Sequence, residues 1–194
     1  MRIEPVEPPY SEEVAERLAK MMPPGVEPLL LFRTFVKNLP MANAMGPWGA
    51  YELSKKLSLS LRDREVVIVR TCARCTCEYE WGVHIAFFAA HVGLTDDQIR
   101  SLTFGGAADS CWESEHDRLL LEVVDSLHDH SHISDGLWAR LAQEFSESEI
   151  LDLTMLIGWY HAICFTANSF EVDLEVAAAR FIDFDGPPNH SANR

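Results

Sequence analysis

EVVIVRTCARCTCEYEWGVH, residues 65–84, is the stretch on which the fold turns. Val66 to Val69 are all β-branched, which favours a strand. The surrounding charges argue for a helix instead. Arg62, Asp63, Arg64 and Arg70 fall on helical sides rather than alternating with apolar positions, and Leu61, Glu65, Ile68, Val69 and Cys72 share one helical face. Ser60 followed by Asp63 supplies a helix start. The pattern predicts a helix over 61–74, a break near Thr76 and a second helix from Tyr79 to Val92, closed by Gly93. Thr95 and Gln98 then form a capping box that opens a further helix.

Working outward, the chain stays helical. Upstream, Pro5, Pro8, Pro9, Pro23, Pro24 and Pro28 bracket a short helix over 11–22, so residues 1–28 are expected to form an arm on the main body. Residues 29–38 (LLLFRTFVKN) read as a helix stopped by Pro40, and 42–57 as a helix interrupted or kinked near Gly46 and Pro47. Downstream, 104–109 (FGGAAD) is a loop, and Ser110 with Glu113 is expected to open a helix over 112–128. Ser134 begins another helix over 137–145. Ser146 and Glu149 cap a long one that reaches about Ser169. That helix carries Ile150, Leu151, Leu153, Met155, Leu156, Ile157, Trp159, Ile163 and Phe165, so it is expected to be central or buried at an interface. No strand and no tandem repeat emerges, and the fold class is all-α. The main domain is placed at 29–172, and residues 185–194 (DGPPNHSANR) are expected to be a disordered tail.

Composition narrows the function. Apolar residues make up 47% of the 194 positions, too many for a disordered chain. A net charge of −14 opposes nucleic acid and anionic lipid, so neither partner is expected. Residues 1–9 lack the pattern of a secretory leader, and no apolar run approaches the roughly 18 residues of a membrane span. A cytoplasmic location is the default. Five cysteines, three of them at 72, 75 and 77, do not form a secreted disulfide framework and point to thiol chemistry.

If Cys77 lies in the first turn of its helix, Cys77, Glu80 and His84 stand at i, i+3 and i+7, one above another. Thiol, carboxylate and imidazole then converge, and Glu65 on the preceding antiparallel helix can meet them. The helix N-terminus would favour a Cys77 thiolate, so alkylation is expected there before Cys111 or Cys164. By spacing alone the same residues serve equally as a core histidine, a small core thiol and solvated carboxylates.

Residues 61–102 resemble the core of the carboxymuconolactone decarboxylase and alkylhydroperoxidase-D superfamily, whose motif is Glu-x11-Cys-x2-Cys-x3-His. Glu65, Cys77 and His84 meet it with matching spacing, and the likeness extends more loosely over 29–172. The resemblance implies a hydroperoxidase-D-like helical bundle with a core helix hairpin, assembled as a homo-oligomer (dimer, trimer or hexamer). Glu80 replaces the family's second cysteine, which removes the vicinal dithiol of the peroxidase branch and resembles the decarboxylase branch. Tyr79, where a peroxidase usually has histidine, points the same way. The implied function is a cofactor-free decarboxylase-like enzyme in which Glu80 and His84 handle protons on a small carboxylated or lactone-type substrate. Glu65 tunes His84, and Cys77 is a reactive thiol. The alternatives are a thiol peroxidase with Cys77 oxidised and Cys72 or Cys75 restoring it, and a non-catalytic ligand-binding oligomer. Tyr160 and His161, in the long apolar helix, are either core polar groups or line the pocket opposite His84. His128, His130 and His132 suit a helix C-terminus without any ligand. No metal or cofactor is expected.

Overall fold

The computed structural model describes residues 1–185, so nearly all of the tail considered above lies outside the described residues. The helices run α1 (Glu12–Ala19), α2 (Leu30–Phe35), α3 (Leu39–Glu52), α4 (Leu61–Arg74), α5 (Glu78–His84), α6 (Asp96–Phe104), α7 (Glu115–His130), α8 (Asp135–Glu144) and α9 (Glu147–Phe170). No strand occurs among the described residues.

The β-branched run lies in α4, where every residue from Arg64 to Cys72 is buried. α5, α6, α7 and α9 surround it, and such enclosure overrides strand propensity. The central helix is therefore α4 rather than α9. α9 instead buries one stripe, Ile150, Leu153, Ile157, Tyr160, Cys164 and Ala167, at helical spacing. Leu151, Met155 and Phe165 stand exposed on its other side. α9 has the length and apolar composition of a membrane span, but its buried stripe packs on α4 as a core helix does. Arg70 links three elements: it forks onto Asp125 of α7 (2.8 Å twice) and donates to the carbonyls of Leu102 and Gly105 at the end of α6.

Four local readings change. The helix expected over 42–57 is α3, which carries Gly46 and Pro47 inside it and ends at Glu52. Pro40 does not stop a helix; Asn38 caps α3, and Pro40 lies in its first turn, where the missing N–H costs nothing. α7 starts at Glu115 with Ser114 as its cap, because Asp109 Oδ2 is engaged by Ser101 and the Gly106 N–H and holds 105–113 as a compact turn. The second hairpin helix is regular only to His84 and then widens into a π turn over Ile85–Ala89.

The turn between α4 and α5 sets the register of the site. Thr76 is left-handed (φ 51°), the Cys77 N–H bonds back to the Cys72 carbonyl at 2.8 Å, and the Thr76 N–H to that of Ala73 at 2.9 Å. This is the Schellman pattern, which packs the residue after the left-handed one against the last helical turn. Here those two side chains are Cys77 and Cys72, both fully buried. Beyond α9, residues 171–185 cross back over α5. A Cβ on Gly82 would come within 2.3 Å of the Ala179 carbonyl, which accounts for glycine there, and Trp81 packs on Phe181 and Phe184 of this crossing segment.

Thr76 occupies a conformation that disfavours a β-branched residue by about 1–2 kcal/mol. Glycine would release that strain and lose about 0.5–1 kcal/mol to chain entropy. Thr76→Gly should therefore raise unfolding stability by up to about 1 kcal/mol, read from the urea midpoint at unchanged slope.

Candidate active site

Three hydrogen bonds to Glu65 define the site. Glu65 Oε2 accepts from His84 Nδ1 at 2.7 Å, and Glu65 Oε1 accepts from Arg64 Nε (2.9 Å) and Nη2 (2.7 Å). Glu65 is fully buried, Arg64 and His84 nearly so, and Arg64 also donates to the Leu53 carbonyl at 3.1 Å. With Nδ1–H committed to Glu65, the neutral ring presents the lone pair of Nε2 to the other side. There the Tyr160 hydroxyl donates to it at 3.0 Å, and Glu80 Oε2 stands 3.8 Å away. Phe88, carried by the π turn, lies against the imidazole with ring centroids 5.3 Å apart, and the Arg64 guanidinium sits over the same phenyl ring.

The two carboxyl groups flanking His84 are driven apart. Burial alone would raise Glu65, but His84 and then Arg64 outweigh it and hold its carboxyl below the usual range. Burial raises Glu80; His84 opposes this, and Glu175 adds to it. One imidazole thus stands between a fixed carboxylate and an acid that holds its proton longer than an ordinary glutamate. Such a separation is how a site assigns an anchor and a proton carrier.

The thiols form a second group. Cys77 is fully buried at the cap of α5, and its thiol neighbours are Cys72 and Cys164, whose Sγ atoms are 3.7 Å apart. Among the described residues no hydrogen bond joins Cys77 to Glu80 or His84. Burial pushes Cys72 up to about 12. Cys75, by contrast, is partly exposed, and its thiol is drawn down to about 5, first by Cys164 and then, against burial, by His161 and His128. The expected order of alkylation is thereby corrected: Cys75 and Cys111 reach the surface, whereas Cys77 is sealed by the turn geometry.

The accessory residues divide. Tyr160 faces His84, but His161 points away from it toward Cys75 and His128. Tyr79 also faces elsewhere: its hydroxyl donates to Glu175 Oε1 at 2.6 Å and accepts the Leu31 N–H. Arg64 and Glu175 are site residues that the sequence pattern does not reveal. Arg64 looks like one of several surface arginines, and only its adjacency to a buried glutamate hints otherwise. Tyr160 has a visible signal, a polar tip on the buried stripe of α9. Two surface hollows, of about 410 and 220 Å3, lie on the N-terminal arm; the larger is lined by Glu13, Glu16, Arg17, Lys20, Leu39 and Asn43, and neither touches His84.

Residues 41–121, which contain α4, α5 and the whole Glu65–His84 stretch, match the sequence model of the Carboxymuconolactone decarboxylase family. The match covers the helix hairpin and the elements on either side of it. Solved structures of the debrominase Bmp8 share the fold. A cysteine-to-alanine variant of that debrominase, in complex with 2,3,4-tribromopyrrole, superposes with a TM-score of 0.75 at 13% identity, covering 91% of this chain and 93% of that one. The apo form gives 0.72 at 15% identity, over 90% and 92%. No curated protein matches by sequence.

Glu80 offers a direct test of the electrostatics. Its folded-state pKa lies above the unfolded value, so the stability it contributes is complete below the unfolded pKa and is lost as pH rises through the folded one. An infrared titration should show a protonated carboxyl band persisting above the ordinary glutamate range and missing in Glu80→Gln, and that variant should not lose stability across the same window. A parent titrating as an ordinary glutamate would contradict the assignment.

Proposed function

We propose that the chain is a carboxymuconolactone decarboxylase-like enzyme that needs no cofactor and moves protons with Glu80 and His84 on a small carboxylated or lactone-type substrate. The observation that carries this reading is the pair of oppositely displaced carboxyl groups on the two nitrogens of His84. In this reading Glu65, held by Arg64, keeps Nδ1–H in place and supports positive charge on the ring when Nε2 takes a proton. Glu80 carries the exchangeable proton beside it. Tyr160 occupies the Nε2 lone pair until a substrate oxygen or carbon displaces it. Cys77, buried at the cap of α5, serves in this reading as a structural sulfur. The exposed apolar side of α9 supports assembly as a homo-oligomer.

The test is a panel of γ-lactone carboxylates, carboxymuconolactone among them, assayed for CO2 release and for deuterium uptake from D2O at the carbon next to the carboxylate. Proton exchange or decarboxylation is expected that His84→Ala abolishes and Glu80→Gln lowers by about 10²–10⁴-fold. In parallel, hydrogen peroxide and a dithiol reductant probe peroxidase chemistry. Peroxide turnover that survives His84→Ala and vanishes in Cys75→Ser would overturn the reading in favour of a thiol peroxidase whose reactive sulfur is Cys75.

A further inference from the structure

Apart from the His84 site, Cys75, His128 and His161 converge although they come from three different helices. Cys75 caps the end of α4, His128 lies in the last turns of α7, and His161 is in the middle of α9. Cys75 Sγ is 4.0 Å from His128 Nδ1, His128 Nδ1 is 3.0 Å from His161 Nε2, and all three donor atoms lie within 4.8 Å of one another. We infer that they form a binding site for a divalent transition-metal cation of the zinc class.

The distances suit such an ion. Tetrahedral zinc bonds of about 2.3 Å to sulfur and about 2.05 Å to nitrogen set donors about 3.3 Å apart for two nitrogens and about 3.6 Å for nitrogen and sulfur. The two histidine nitrogens would open by about 0.3 Å and Cys75 Sγ would close on His128 by about 0.4 Å, while the remaining pair lies within 4.8 Å, a range that thiol and ring rotamers can close. The orientation of His161 suits it too. Its Nδ1–H donates to the Ile157 carbonyl at 2.8 Å, which leaves the Nε2 lone pair facing the cluster. A metal-bound imidazole is generally held this way, its other nitrogen tied to a carbonyl or carboxylate. His128 directs a second ring nitrogen at the same point, so a proton or a cation must separate the two.

One sulfur and two imidazoles suit zinc and its borderline-soft neighbours, whereas magnesium and calcium require oxygen donors. All three side chains are partly exposed, so an ion can enter from solvent and keep a water as its fourth ligand. Of the three histidines at the end of α7, only His128 turns inward; His130 and His132 are exposed. In the sequence the helix dipole accounts for all three alike. The residue that links them to α4 is Cys75, whose sequence neighbours suggest only a pairing with Cys77. A bound ion would clamp the ends of α4 and α7 to α9 and cover the most accessible thiol of the sulfur cluster.

The experiment uses the full chain, reduced, stripped with a chelator and titrated with Co2+ as a spectroscopic probe. One cobalt per chain is expected, with a thiolate-to-cobalt charge-transfer band that one equivalent of Zn2+ bleaches. Zn2+ should also raise the melting temperature reversibly and block alkylation of Cys75 by iodoacetamide. Cys75→Ser, nearly isosteric, should lose the band while keeping the helical circular dichroism. His128→Ala, in the last turns of a helix, should weaken cobalt binding at least about a hundredfold. A band retained in Cys75→Ser, no band in the parent, or Cys75 alkylated equally fast with and without Zn2+ would overturn the proposal, the last result marking the cluster as a thiol–imidazole pair only.

Discussion

A carboxylate with no solvent exposure needs compensating charge and hydrogen bonds, because burying it unpaired costs several kcal/mol. Glu65 is that group, and much of the molecule is arranged around satisfying it. Arg64, its immediate neighbour in α4, takes one oxygen with two N–H groups and anchors its own remaining nitrogen on Leu53. The other oxygen must find a donor across the hairpin, and His84 is that donor. The requirement fixes the length of α5, the left-handed turn at Thr76 and the close crossing of residues 171–185 over Gly82, since each sets the height and rotation at which His84 meets Glu65.

The polar side chains fall into two neighbourhoods, one reached from α9 by Tyr160 and the other by His161. On the Tyr160 side, the tyrosine hydroxyl donates to the free nitrogen of an imidazole whose opposite nitrogen is committed, and Glu80 stands 3.8 Å from that nitrogen. On the other, Cys75 sits with His128 and His161, and the adjacent residues Tyr160 and His161 serve different centres. Between the two lie Cys72, Cys77 and Cys164, all buried. Glu80 thus sets an acid that holds its proton longer than an ordinary glutamate beside His84, while Cys77 is buried in the turn.

The hairpin was legible in the sequence because its signals are local: the Ser60 cap, the helical placement of charges around Val66–Val69 and the 11-residue spacing from Glu65 to Cys77. The pairing of Glu65 with His84 followed from that spacing. Features that depend on rotation or on distant chain were not legible. Burial of Cys77 depends on a Schellman turn with threonine in the position where glycine is usual, so the sequence lacked the signal that marks such turns. Arg64 carries no periodic mark that separates it from Arg62. Glu175 and the aromatic pair Phe181 and Phe184 lie in an irregular segment about a hundred residues from the helix they cover, beyond any window in which periodicity operates.

The central claim is that Glu65 dictates which nitrogen of His84 is available for chemistry. Nitrogen-15 spectra of the full chain labelled at histidine read that choice directly. The expected result is a neutral His84 ring protonated at Nδ1, with a slowly exchanging proton hydrogen-bonded to a carboxylate and the lone pair on Nε2; in Glu65→Gln this preference should weaken. A ring protonated at Nε2 with Nδ1 bare, or one whose tautomer is indifferent to Glu65→Gln, would contradict it.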